Sequence, residues 1–159
     1  MNNIFFLYGI PASSKSTWSK EQVRQSNGSM VRVNKDDLRS MIGINNKWSI
    51  DSEKLILSIR DEIIMKSLRR ERDVIVDDTN FPFGGKHYLR ICEIAKLVGD
   101  VQVIEKYFDI SLEEALLRNN NPDRKPVPSE IIENMYRKYI KPYDCKVVYF
   151  PKLEPMIQD

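Results

Sequence analysis

An α/β fold, with a mainly parallel sheet of about five strands and helices on both faces, is predicted by three observations. Apolar runs and amphipathic segments alternate from end to end of the 159 residues, the pattern of strands joined by crossover helices. The opening run, Ile4 to Tyr8 within a strand over residues 3–8, is continuously apolar, as a strand buried on both faces must be. A turn rich in glycine and serine, Gly9 to Thr17, then leads directly into a helix-like segment.

The elements follow in order. Lys15 to about Gln25 reads as a helix with Trp18 and Val23 facing inward, and Asn27-Gly28-Ser29 is a turn. Met30–Val33 is a second strand. Asn34 to about Ile42 is a helix with acids in its first turn, where they complement the dipole. Asp51 to Arg72 places Leu55, Ile56, Ile59, Ile63 and Leu68 at helical spacing and ends in a charged run, Arg69 to Asp73, that reads as a solvated helix end. Val74–Val76 is a third strand, Lys86 to Val98 a helix closed by Gly99, and Val101 to Phe108 a fourth strand. Ser111 and Glu114 form a capping box for the next helix. A polar, proline-containing loop precedes a helix from Pro128 to Tyr139, and Val147–Phe150 is the last strand. No linker parts the chain, so residues 1–159 read as one domain with a small lid at about 118–128.

Composition narrows the function. A formal charge of +2 permits an anionic partner without demanding one. Cys92 and Cys145 stand far apart with a single histidine, His87, which suggests neither zinc nor a disulfide framework. No run approaches the roughly 18 apolar residues of a membrane span, so no membrane partner and a cytoplasmic location are expected.

Chemistry gathers at the carboxyl ends of the strands of a parallel sheet. The first such end carries GIPASSKST, in which Gly9, Lys15 and Ser16 match the P-loop pattern G-x-x-x-x-G-K-[ST]. There the backbone N–H groups of Ala12, Ser13, Ser14 and Thr17 and their neighbours wrap phosphates, with Pro11 shaping the loop but lacking an N–H to donate, Lys15 bridges the outer two, and the Ser16 hydroxyl holds Mg²⁺. Ser14 stands where the pattern has a second glycine. If that position has positive φ, the serine costs about 1–2 kcal/mol. This motif makes the fold P-loop NTPase-type, with three layers.

The second strand's end carries Asp36, able to accept a proton from an attacking hydroxyl, and Arg39 one turn on, able to steady a transferred phosphate. Asp36 and Asp37 equally suit a dipole-complementing role. The third strand ends in Asp77-Asp78, where a metal-orienting carboxylate is expected; strand alternation assigns one acid to the site and one to solvent. The polar loop carries Arg118 and Arg124, and an arginine from such a flap adds charge when the site closes.

Four motifs in order, GIPASSKSTW, NKDDLR (34–39), VDDTN (76–80) and RNNNPDRKPVP (118–128) followed by Met135-Tyr136, resemble the kinase half of phage 5′-hydroxyl polynucleotide kinases, within the small P-loop kinases. The resemblance covers essentially the whole chain. It implies ATP-dependent phosphorylation of a DNA or RNA 5′-hydroxyl. Lys15 and Ser16 would sit at the donor phosphates, Asp36 would be general base, Arg39 would touch the transferred phosphate and Asp78 would be required. A lid arginine, Arg124 with Arg118 as rival, would contact the nucleotide. ATP and Mg²⁺ (on Ser16 and Asp78) are the implied cofactors, a nucleic acid with a 5′-OH end is the implied partner, and a homo-oligomer is compatible. No D-x-D-x-[TV] stretch is present, so no phosphatase half is expected. Arg32, Lys35 and Lys47 would line an acceptor channel, with Trp48 or Phe81 for base stacking. The alternatives are a kinase of a nucleoside, nucleotide or sugar, or a weakened nucleotide-binding module.

Overall fold

The computed structural model describes residues 1–44 and 48–155. Its elements are β1 (Asn2–Tyr8), α1 (Lys15–Gln25), β2 (Met30–Val33), α2 (Lys35–Ile42), α3 (Ile50–Arg69), β3 (Asp73–Val76), α4 (Lys86–Val98), β4 (Val101–Tyr107), α5 (Leu112–Asn119), α6 (Ser129–Tyr139) and β5 (Val147–Phe150). The sheet order is β2-β3-β1-β4-β5. β1, β2, β3 and β4 run parallel and β5 pairs antiparallel with β4, giving a mixed, mostly parallel sheet.

Val74, Ile75 and Val76 are all fully buried although successive side chains point to opposite faces. Helices therefore cover both faces of the central strands. Caps define the helices: Asn34 and Ser111 accept the backbone N–H of Asp37 and Glu114, as the capping patterns predict.

Two expectations are corrected. α3 ends at Arg69, three residues before Arg72, because Glu71 turns into the left-handed region at φ 59. The charged run is accordingly not all solvated: Asp73 opens β3 and its carboxylate accepts the Asn3 backbone N–H at 2.7 Å and the Asn2 amide at 3.1 Å. Leu55 is half exposed, and the inward stripe of α3 is Ile56, Arg60, Ile64 and Leu68.

Parallel register brings the strand exits together. Val33 and Phe6 both pair with Val76, so three chain segments leave the sheet side by side. Asn80 fastens two of them, donating from Nδ2 to the Leu7 carbonyl at 2.7 Å and to the Val76 carbonyl at 3.3 Å, in the left-handed conformation that asparagine tolerates. Asn80→Ala strands the buried Leu7 carbonyl and loses the left-handed preference, which together cost roughly 2–3 kcal/mol. Thermal unfolding of the variant reads this as a fall in Tm of several degrees.

Candidate functional site

The phosphate loop is shaped by close approach. A Cβ on Gly9 would lie 2.5 Å from Ser13 Oγ and 3.2 Å from Lys15 Cδ, so the first loop position has room only for glycine. Ser14 adopts φ 75 and Ala12 φ 67, both left-handed, so the expected strain at Ser14 is present. The Lys15 ammonium lies inside the loop and donates to the carbonyls of Gly9 (2.7 Å) and Ile10 (3.0 Å) and to Ser13 Oγ (3.1 Å). Burial draws its pKa down to about 8, against the pull of Asp77 and Asp78.

Both acids after β3 are buried, contrary to the expectation that one would be solvated. β3 ends at Val76, so strand alternation no longer governs Asp77 and Asp78. Asp77 Oδ2 accepts Ser19 Oγ at 2.8 Å and Arg32 Nε at 2.7 Å, while Arg32 Nη1 reaches Asp37 at 2.6 Å and Nη2 lies 3.5 Å from Ser16 Oγ. Asp78 Oδ1 accepts the Lys35 N–H at 3.0 Å and the Asn34 amide at 3.4 Å. Burial raises Asp78 to about 6 although Lys35 lies close.

Asp77 Oδ1 and Asp78 Oδ2 are buried without a partner. Two unspent carboxylate oxygens beside a loop hydroxyl fit Mg²⁺, a hard ion held by one or two carboxylates together with substrate phosphates. Among the described residues no three His, Cys, Asp or Glu side chains cluster as a closed metal cage.

On the opposite wall, α2 carries Asp36 and Arg39. Arg39 is gripped by Glu53 of α3 through Nε–Oε1 (2.8 Å) and Nη2–Oε2 (2.7 Å), and its Nη1 donates to Asp36 Oδ1 at 2.6 Å. The Glu53 hydrogen bonds raise the Arg39 pKa, despite partial burial. Bidentate geometry fixes the guanidinium, and the guanidinium fixes Asp36. The lid is clasped at its neck, where Asn119 donates to the Val127 carbonyl (2.6 Å) and accepts the Val127 N–H (3.0 Å). Arg118 Nη1 donates to Ser14 Oγ at 2.7 Å, and Arg124 Nε is buried without a partner.

One cleft of about 410 Å³ is lined by Pro11, Ala12, Ser13, Ser14, Lys15, Ser16 and Thr17, by Asn34, Lys35, Asp36 and Arg39, by Asp77, Asp78 and Thr79, and by Arg124, Val127 and Met135. Lys15 and Asp36 thus share a cavity. Of the two candidate lid arginines, Arg124 lines the cleft, whereas Arg118 touches it only through Ser14 Oγ. Arg32 is committed to Asp77 and Asp37 rather than to an acceptor channel. Phe81 is buried against Tyr8, Phe83 and Tyr139 and has no free face for a base. Trp48 is exposed, and Lys47 lies outside the described residues. Sequence reasoning missed Ser19 and Glu53, whose partners lie 58 and 14 residues away, and Asn119, which closes on Val127 eight residues further on.

Two measurements test this geometry in protein free of nucleotide and metal. Ser14→Gly relieves the left-handed strain of about 1–2 kcal/mol and gives up one exposed hydrogen bond, whereas Ser14→Ala keeps the strain and loses the bond. Denaturant unfolding therefore finds the glycine variant equal to or above the parent and the alanine variant about 1 kcal/mol below it. For Asp78, a folded-state pKa near 6 above the ordinary 3.8 means the folded protein binds the proton more tightly across that window. Stability falls as pH rises from about 4 to 6, by up to about 3 kcal/mol, and this component of the slope is absent in Asp78→Asn.

Comparison with known proteins agrees with this architecture. The family model described as AAA domain matches residues 4–142. The L-seryl-tRNA(Sec) kinase of Methanococcus maripaludis is 30% identical over 142 residues, covering 87% of this chain and 53% of the kinase. A chain of the Pnkp1/Rnl/Hen1 RNA repair complex superposes with a TM-score of 0.77 at 23% identity, over 99% of this chain and 51% of that one. The APS kinase CysC of Mycobacterium tuberculosis, solved with AMPPNP and APS, gives a TM-score of 0.59 at 14% identity, over 76% and 69% of the two chains. This chain spans about half the length of the first two. With the family model matched over most of its length and the phosphate loop seated at the end of β1, the chain belongs to the AAA domain family and has a P-loop kinase-like fold.

Proposed function

We propose that the chain is an ATP-dependent kinase that transfers the γ-phosphate to the 5′-hydroxyl end of a polynucleotide. The observation that carries the reading is the single cleft in which the phosphate loop and Lys15 face Asp36 and Arg39, with Asp78 at its base and Arg124 at its lid. The relatives support the nucleic-acid part of this reading: one is a kinase of seryl-tRNA and another belongs to an RNA repair complex.

The loop amides and Lys15 bind the β- and γ-phosphates, and each carbonyl that Lys15 touches gives way to a charged oxygen. Ser16 and Asp78, with Asp77 behind them, would hold Mg²⁺, and the ion would supply positive charge at the donor phosphates. Asp36 has one oxygen on Arg39 and the other for the acceptor hydroxyl, whose proton it takes as the oxygen attacks phosphorus. Arg39 contributes charge at the transferred phosphate while Glu53 holds it in place. Arg124 brings a buried, unspent donor to the same phosphates, and Arg118 spans loop and lid.

The test is incubation with γ-labelled ATP, Mg²⁺ and a 5′-hydroxyl oligonucleotide. Labelled 5′-phosphate is expected, and Asp36→Asn lowers kcat by roughly 10²–10⁴-fold while ATP binding stays within about twofold, because Asp36 lies on the acceptor wall. Transfer to nucleosides or sugars but to no DNA or RNA end overturns the polynucleotide reading.

A further inference from the structure

A second groove, of about 490 Å³, lies between α3 and the first turn of α4, outside the phosphate-loop cleft. Its floor is an anomaly of the α3 stripe, a guanidinium at Arg60 within the row Ile56, Ile64, Leu68. Arg60 is 1% exposed. Its Nε and Nη2 reach Asp61 Oδ1 at 3.1 and 2.9 Å, but Nη1 is buried with no partner. Burying a cation with a donor unspent is costly, and packing alone would be served better by an aliphatic residue.

The groove's rim has the same sign. Lys54 of α3 and Lys86 of α4 are cations on it. Arg90 is already paired with Asp61 and Glu93. α4 opens without an acid in its first turn and without a side-chain cap, which leaves its first amides for an anion. Lys54, Arg60, Lys86 and Arg90 stand against two carboxylates, Asp61 and Glu62, so the groove is net positive.

It also adjoins the active cleft. The Arg60 charge is felt by Lys35 and Asp78 on one side and by His87 on the other. Glu53, which holds Arg39, lies seven residues before Arg60 and hence on the same face of α3, about 10 Å along the axis.

We infer that this groove is a backbone track for the polynucleotide acceptor, in which phosphodiesters behind the 5′ end run along α3 over Arg60 and between Lys54 and Lys86. The inference rests on the polynucleotide reading above and names where that substrate's chain goes. Charges set apart along an open groove suit successive phosphates of one strand, and the link through Arg60 sets its direction.

Fluorescence anisotropy with a labelled dinucleotide and a longer single-stranded oligonucleotide tests it, comparing the parent with Lys54→Ala/Lys86→Ala. Neither lysine is part of the buried core, so the variant folds, as its thermal melt will verify. The parent is expected to bind the longer strand at least about tenfold more tightly than the dinucleotide. The double variant loses about that advantage, and the slope of log K against log salt for the longer strand falls by about 1.4, or about 0.7 for each phosphate that is no longer neutralised. Equal affinity for both lengths in the parent, or a parental salt slope in the variant, overturns the track. The two readings fail separately. Transfer to 5′ ends without a length advantage removes the track alone, and lysine-dependent binding of the longer strand without transfer removes the kinase assignment alone.

Discussion

The site depends on the register of three parallel strands. Because Phe6 and Val33 both sit level with Val76, the chain exits at Gly9, Asn34 and Asp77 are neighbours. The exits are then tied to one another: Asn34 Nδ2 donates to the Asp77 carbonyl at 2.6 Å, Asn80 Nδ2 to Leu7, and Ser19 and Arg32 to the Asp77 carboxylate. A slip of one residue would reverse every side chain on the slipped strand. The buried runs Val74–Val76 and Phe6–Tyr8 forbid such a slip, and the core thereby sets the spacing of the candidate site residues.

Charges in the cleft are held in near balance, and that balance prepares it for an anion. Lys15 and Lys35 are both lowered by burial, and Asp78 is raised by it. Each ion's neighbours soften the penalty without cancelling it. In the proposed reaction, a triphosphate with its metal would supply what each lacks, since the anion favours charged Lys15 and the cation favours ionised Asp78. Binding energy would thus be drawn from groups whose folded environment leaves them short of a partner. The same logic extends to Arg124 Nε and, in the neighbouring groove, to Arg60 Nη1.

Much of this is legible in the chain. The helices at Lys15, Lys86 and Leu112 start where the loop motif, the Pro-Gly-Gly break and the Ser111 cap place them, because those signals are local. Lys15, Asp36, Arg39, Asp78 and Arg124 meet because strand-end chemistry follows from parallel topology. What stays hidden involves reach or a change of rule. Arg32 spans from β2 to Asp77 and Asp37, which no periodicity reports, and Glu53 finds Arg39 from another helix. Alternation misjudges Asp77 and Asp78 because the strand has already ended. Phe81 reads as a surface aromatic in the sequence, whereas the left-handed Asn80 turns it inward. Arg60 does leave a trace: stepping by four from Ile56 reaches a charge before Ile64 and Leu68, the mark of a buried ion.

Ser14 shows how a departure from a motif can be offset where it occurs. The left-handed backbone there would suit glycine better, and the loop retains its strain within one residue of Lys15. The serine hydroxyl supplies an interaction that glycine cannot, an acceptor for Arg118 from the end of α5. Asn119, the next residue, closes the lid's neck on Val127. The strained position therefore couples two parts of the cleft 104 residues apart in sequence, the loop after β1 and the lid that carries Arg124. In the proposed reaction, Ser14 trades part of the loop's intrinsic stability for an anchor that sets where the lid begins.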